Sequence, residues 1–321
     1  MRYLNHDAIM ASITYDDILT AVESALYNYT NGHFNMPERF HYTYENKTLL
    51  YMPCFSDGIL GTKILTVFPE NAQKDHPAID GLMLLNNYET GEPKALIDGK
   101  LLTALRTGAV GAMGTKHLTS ESATKLGLIG AGTQGIYQVL FACHCRPITD
   151  VYITTRSLEK LDTYINILKK ERPDITFHKV ASSEDVVKNA EIIITATSSM
   201  TPVLPENRDL YTGKTFIAIG SYQPTMRELP NALIETADEI YVDIDYAKEE
   251  SGDLYLPLQS KLISEDKIFT IGELIHGTKK APSGNQTILY KSVGMALFDV
   301  LVGEKILACA DQKKIGQTLN Q

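Results

Sequence analysis

The chain has 321 residues, 44% of them hydrophobic, enough for a large core and two domains of ordinary size. Its formal net charge of -9 excludes the basic surface that nucleic-acid binding needs, and leaves a small molecule as the expected ligand. The opening MRYLNHDAIM has no apolar signal core and no stretch approaches the about 20 apolar residues of a membrane span, so a cytoplasmic protein without a membrane partner is expected.

In chain order, residues 14–31 place Ile18, Val22, Ala25, Leu26 and Tyr29 on one face, with Asp16 and Asp17 near the start, and predict an amphipathic helix. Short apolar runs between about 39 and 98 (HYTYE, TLLYMP, LGTKILTVFP, GLMLLNN, PKALID), broken by Gly, Pro, Asn and Asp, predict a mainly antiparallel sheet. A helix follows over about 101–117. From about 125 to 275, apolar strands (KLGLIG, VYITT, IIITAT, FIAIGS, EIYVDI, IFTIGELI) alternate with helical stretches, the pattern of a parallel α/β sheet. The last segment, ILYKSVGMALFDVLVGEKILACA, reads as one helix packing back on the first domain. Cys54, Cys143, Cys145 and Cys309 form neither a disulfide scaffold nor a paired CxxC framework. Cys143 and Cys145 fall on a predicted helix where adjacent side chains diverge, so reduced thiols and no metal site are expected.

The run GAGTQG at 130–135 follows the strand LGLIG and opens a helix, the setting of a dinucleotide-binding turn. Gly130 and Gly132 allow a tight turn and close approach of backbone to a pyrophosphate, and the amides at Thr133 and Gln134 lie at the positive end of the helix. Gly135 lets that helix sit close to its strand. The next strand ends in Thr155, Arg156 and Ser157, a cation flanked by hydroxyls and without a carboxylate. That suits a 2'-phosphate and favours NADP(H), with NAD(H) left open if Arg156 is a solvated loop cation and an acid comes from elsewhere.

Arg39, Lys63 and Arg106 lie in or beside apolar segments, where an unpaired charge is costly. Their partner is either a bound carboxylate or a structural ion pair. The stretches MPERF, YMPCF, GTKILTVFPEN, DGKLLTALRTGAVGA, GLIGAGTQG and ILYKSVGMALFDV, in this order, resemble the ornithine cyclodeaminase/mu-crystallin family over nearly the whole chain. The resemblance implies a Rossmann-type nucleotide-binding domain, 118–287, plus a mixed α+β substrate and dimerisation domain, 1–117 with 288–321, in a homodimer. It implies that Arg39, Lys63 and Arg106 surround the α-carboxylate and α-nitrogen of an amino or imino acid, with Lys63 also in proton transfer. It further implies that Val293 lines the substrate site and that Thr107, Thr197, Gly220, Ser221 and Ser292 join the cofactor site.

Members of that family perform ornithine cyclodeamination, alanine dehydrogenation and the reduction of ketimines and cyclic imines. Cyclodeaminases carry a catalytic Asp in a stretch resembling GGDxPGKxEL, whereas this chain has IGSYQPTMREL, with Tyr222 at the Asp and Met226 at the Lys. A phenol of pKa near about 10 does not replace a carboxylate in holding a distal amine. The expected activity is therefore NADPH-dependent reduction of 2-imino acids or cyclic ketimines, reversible as L-amino acid dehydrogenation. Ornithine cyclodeamination and a non-catalytic NADPH-binding protein are the alternatives. Glu228 reads as the acidic start of a helix or as a general acid, and His276 as a structural or catalytic residue near a strand end.

Overall fold

The structure is a computed structural model that describes residues 1–74 and 76–319. It divides into two compact units, Met1–Arg106 with Met295–Gln321 and Thr107–Gly294. The divisions fall at 106/107 and 294/295, where the sequence suggested 117/118 and 287/288.

The first unit contains β1 (Arg2–Leu4), α1 (His6–Ser12), α2 (Tyr15–Asn31), β2 (Phe40–Tyr44), β3 (Lys47–Ser56), β4 (Ile59–Val67), β5 (Ile79–Asn87) and β6 (Pro93–Asp98). It also holds the first part of α3 (Gly99–Leu118). The second unit contains β7 (Lys125–Ile129), α4 (Thr133–Cys145), β8 (Asp150–Thr154), α5 (Leu161–Glu171), β9 (Thr176–Lys179), α6 (Ser183–Asn189), β10 (Ile192–Thr195) and β11 (Thr215–Ala218). There follow α7 (Asn231–Thr236), β12 (Glu239–Val242), α8 (Ala247–Glu250), α9 (Gly252–Gln259), β13 (Ile268–Thr270), α10 (Ile271–Ile275) and β14 (Ile288–Lys291). The chain then returns to the first unit with α11 (Ala296–Lys313) and β15 (Gln317–Thr318).

In the first unit a seven-stranded sheet runs β15-β1-β6-β5-β4-β3-β2. From β2 to β6 it is antiparallel, as the broken apolar runs predicted, while β1 is parallel to β6. Alternation puts Leu50, Met52 and Cys54 of β3, Lys63 and Leu65 of β4, and Met83 and Leu85 of β5 on the buried face, where α11 packs. The predicted amphipathic helix is α2: Thr14 accepts from the Asp17 amide and Asp17 accepts from the Thr14 amide, a reciprocal cap that fixes its start. Its buried Ile18, Val22, Ala25 and Leu26 belong to the face that packs on α11.

In the second unit eight parallel strands run β13-β12-β14-β11-β10-β7-β8-β9. The strands β7, β10, β11 and β14 are almost wholly buried, as parallel strands covered on both faces must be.

Two sequence expectations need correction. The segment from Ile288 is not one helix: ILYK is β14, paired between β11 and β12, and the helix begins only at Ala296. Ile, Leu and Tyr suit a buried strand, and Gly294 at φ 76° turns the chain before the helix. Likewise IFTIGELI is a three-residue strand followed by α10, started by a reciprocal cap between Thr270 and Glu273. His276 is therefore the C-cap of a short helix rather than a residue at a strand end.

Candidate functional site

In the second unit the predicted cofactor residues converge. Gly130, Thr155, Thr197, Gly220 and Ser292 follow the carboxyl ends of β7, β8, β10, β11 and β14, five strands adjacent in the sheet. The chain winds from β7 to β8 on one side and to β10 on the other, and ligands of such sheets bind beyond the strand ends at that reversal. There the GAGTQG turn meets the loop after β10. Gly130 has φ 106°, and a Cβ on it would stand 2.6 Å from Ala196 O and 2.8 Å from Thr197 Cγ2.

Gly132 caps the N-terminus of α4 without a side-chain bond and with open space around its Cα, so the first amides of the helix, at Thr133 and Gln134, face no capping group. A Cβ on Gly135 would lie 2.5 Å from Gly130 O and 2.7 Å from the Tyr164 hydroxyl, which explains the third glycine by packing. This cradle of backbone donors fits the pyrophosphate of a dinucleotide. Beyond β8, Thr155 and Ser157 are half-buried and Arg156 is exposed. Thr107 on α3 has a buried Oγ1 without a hydrogen-bond partner among the described residues, and its carbonyl accepts from Gln138 Nε2 at 2.8 Å.

Three buried carboxylates hold these loops, and their roles were not legible in the sequence. Glu228 is fully buried: Oε1 accepts from the amide and hydroxyl of Thr197, both at 2.7 Å, and Oε2 accepts from the Gly220 amide at 2.7 Å. It thereby ties the loop after β10 to the loop after β11. Burial raises its pKa, against the pull of Lys291. Glu228 thus precedes α7 rather than starting a helix, and it serves the loops.

Asp253 Oδ1 accepts from the amides of Glu228 and Leu229, and Lys291 Nζ stands 3.5 Å from Asp253 Oδ2. Asp243, at the end of β12, accepts from Ser292 Oγ at 2.7 Å and from the amides of Val293 and Gly294. The Ser292 hydroxyl is thus committed inside the protein. So is that of Ser221, which donates to Met226 O and bonds Ser251 Oγ. Tyr222 is half-buried and Met226 buried.

In the first unit Lys63 and Arg106 meet on a carboxylate that no sequence motif singled out. Asp299, in the first turn of α11, accepts from Lys63 Nζ through Oδ2 at 2.7 Å and from Arg106 Nε through Oδ1 at 3.0 Å. Lys63 is 1% exposed and Asp299 fully buried, while Arg106 is 8% exposed. Arg39, half-buried just before β2, acts electrostatically on Lys63. Burial lowers the Lys63 pKa to about 7; Asp299 opposes the shift, and Arg106 and Arg39 reinforce it. Cys54 on β3 is pushed up to about 12 by burial and by Asp299, so it remains a thiol. The structural ion pair is thus present for two of the three cations, Lys63 and Arg106, which share Asp299, while Arg39 acts on Lys63 from the segment before β2. The signal for Asp299 was present as one acid inside the apolar run ALFDVLV. Among the described residues no group of three His, Cys, Asp or Glu is placed to hold a metal, and no helix is long and apolar enough to cross a membrane.

The sequence profile of the ornithine cyclodeaminase/mu-crystallin family matches residues 2–314. A Delta(1)-pyrroline-2-carboxylate reductase of Bacillus cereus is 34% identical over 284 residues, 86% of this chain and 85% of that protein. Among solved structures, the Thermococcus litoralis Delta(1)-pyrroline-2-carboxylate reductase in complex with NADH and L-proline is similar with TM-score 0.93 and 28% identity, covering 99% of this chain and 100% of the other. An archaeal alanine dehydrogenase dimer with bound NAD is similar with TM-score 0.91 and 27% identity, covering 100% and 99%. The match over nearly the whole length means that this chain belongs to the ornithine cyclodeaminase/mu-crystallin family.

Proposed function

We propose that the protein is an NAD(P)H-dependent reductase of 2-imino acids or cyclic ketimines, with a five-membered cyclic imino acid such as Delta(1)-pyrroline-2-carboxylate as its substrate class. The observation that carries this reading is the meeting of Lys63 and Arg106 on the buried carboxylate of Asp299, with Arg39 acting electrostatically on Lys63. This cluster has the charge to take an α-carboxylate, and in Lys63 a group that gives or accepts a proton near neutral pH. The likeness to the Bacillus cereus and Thermococcus litoralis reductases supports it.

In this reading Arg39 and the outer nitrogens of Arg106 clamp the carboxylate, and Lys63 Nζ delivers the proton to the imine nitrogen. Gly130, Gly132 and the first amides of α4 would hold the pyrophosphate. Glu228 would keep Thr197 and Gly220 in place beside it. The bound nicotinamide would supply a hydride to the α-carbon. Thr155, Arg156 and Ser157, with no carboxylate among them, support NADP(H) as the preferred form, with NAD(H) as the lesser partner.

Partnership with a second copy is supported by a row of exposed apolar side chains across the outer face of the first unit's sheet. In that row Phe40 pairs with Tyr51, Tyr51 with Ile64, and Ile64 with Leu82. Four free cysteines fit a reducing, cytoplasmic setting.

The test is NADPH oxidation with Delta(1)-pyrroline-2-carboxylate and, separately, with 2-oxo acids plus ammonia or methylamine. Steady oxidation with formation of L-proline or the matching amino acid is expected. Ammonia and proline formed from ornithine without net NADPH change would replace this reading with cyclodeamination. Binding of NADPH without turnover of any imino acid would replace it with a binding protein.

A further inference from the structure

The charge pattern around Lys63 assigns a role to Asp299. The charged groups that act on Lys63 are Asp299 from α11, Arg106 from α3 and Arg39 from the segment before β2, and the Cys54 thiol of β3 feels the same Asp299. Among these Asp299 supports the charged form of Lys63, and its two oxygens are divided, one to Lys63 and one to Arg106 Nε. Its place in the first turn of α11 gives the carboxylate the positive end of a helix as well.

We propose that Asp299 is the positioning residue for proton transfer: it keeps Lys63 charged among the arginines and turns Nζ and the outer nitrogens of Arg106 toward the substrate. The proposal rests on the imino acid reductase reading. Lys63 and Arg106 share one carboxylate in the free enzyme, and the substrate brings a second. When the Nζ–H bond breaks and the substrate N–H forms, the positive charge moves from Lys63 to the substrate nitrogen, and hydride addition at the α-carbon then neutralises it. The hydride comes from the reduced nicotinamide of the proposed reaction, and Nζ regains its proton from water. Without Asp299, burial and two arginines act on Lys63 unopposed, and the amine is neutral at physiological pH.

Selective 13Cε labelling of lysine tests this, the Lys63 resonance being assigned by its loss in Lys63→Met. In the parent, Lys63 should titrate near neutrality; in Asp299→Asn it should titrate lower by about 1 to 3 pH units. Turnover of the cyclic imino acid by Asp299→Asn should fall on the order of 100-fold at pH 7.5 and recover toward acid pH. Binding of NADPH, followed by fluorescence, should be retained as a control of folding.

Asp299→Glu keeps the charge, so it should keep the Lys63 titration near that of the parent. It also carries the test if the Asn variant does not fold. A Lys63 titration that is unchanged in Asp299→Asn, or displaced in Asp299→Glu as far as loss of the charge would displace it, overturns the proposal. The titration needs no substrate, so absence of reductase activity would remove the functional reading, while the resonance still decides whether Asp299 sets the charge of Lys63.

Discussion

At Lys63 burial works against the charge while Asp299 supports it, and the balance falls at a pKa of about 7. In the proposed mechanism imine reduction consumes the ammonium and amine oxidation needs the free amine. The kcat/KM for reduction should therefore fall, and that for oxidation rise, as pH passes about 7. The same shift bears on stability. The folded pKa lies below the ordinary 10.5, so the contribution of this site is full above that value, declines as pH falls to about 7, and is constant below. Lys63→Met should cost turnover about 100- to 10,000-fold while NADPH still binds, read by steady-state kinetics beside a fluorescence titration. A variant that keeps most of its activity would remove Lys63 from proton transfer. Arg156→Asp should weaken NADPH binding by about 10- to 100-fold and improve relative use of NADH. Preference for NADH in the unaltered protein would overturn the assignment of the Thr155–Ser157 loop.

At the scale of elements, the parallel strands were legible because Ile, Val and Leu runs of strand length leave little else to form. The strand β14 was misread because ILYK runs into a helical pattern without a proline or charge run, and only its neighbours β11 and β12 supply the missing hydrogen bonds. Glu228 was ambiguous for a related reason: its meaning lies in two loops far from it in sequence. Glu228→Gln turns an amide donor toward at least one of the Thr197 and Gly220 N–H groups that the carboxylate now accepts. The expected loss is about 1 to 3 kcal/mol in thermal or urea unfolding, with weaker NADPH binding. Unchanged stability and unchanged cofactor affinity together would show that the tie does not order these loops.

At the scale of the whole molecule, the outer sheet face of the first unit exposes Phe40, Tyr51, Ile64 and Leu82 in one cross-strand row, with Tyr42, Tyr44 and Phe55 also exposed. Leaving such a face to water is costly, and a second copy would cover it. Ile64→Glu should shift the protein from dimer to monomer in light scattering after size-exclusion chromatography. A parent protein that is already monomeric at micromolar concentration would refute the assembly.

The sequence by itself determined the glycine turn, the alternation of strands and helices, the three cations and the family, because each is written in contiguous residues whose spacing follows backbone geometry or motif order. The tertiary structure alone decided which acids answer those cations and loops. Lys63 and Asp299 are separated by 236 positions, Thr197 and Glu228 by 31, and Ser292 and Asp243 by 49. The physical reason is the cost of a buried charge: it selects a partner by proximity in the folded core, and local periodicity carries no record of that choice.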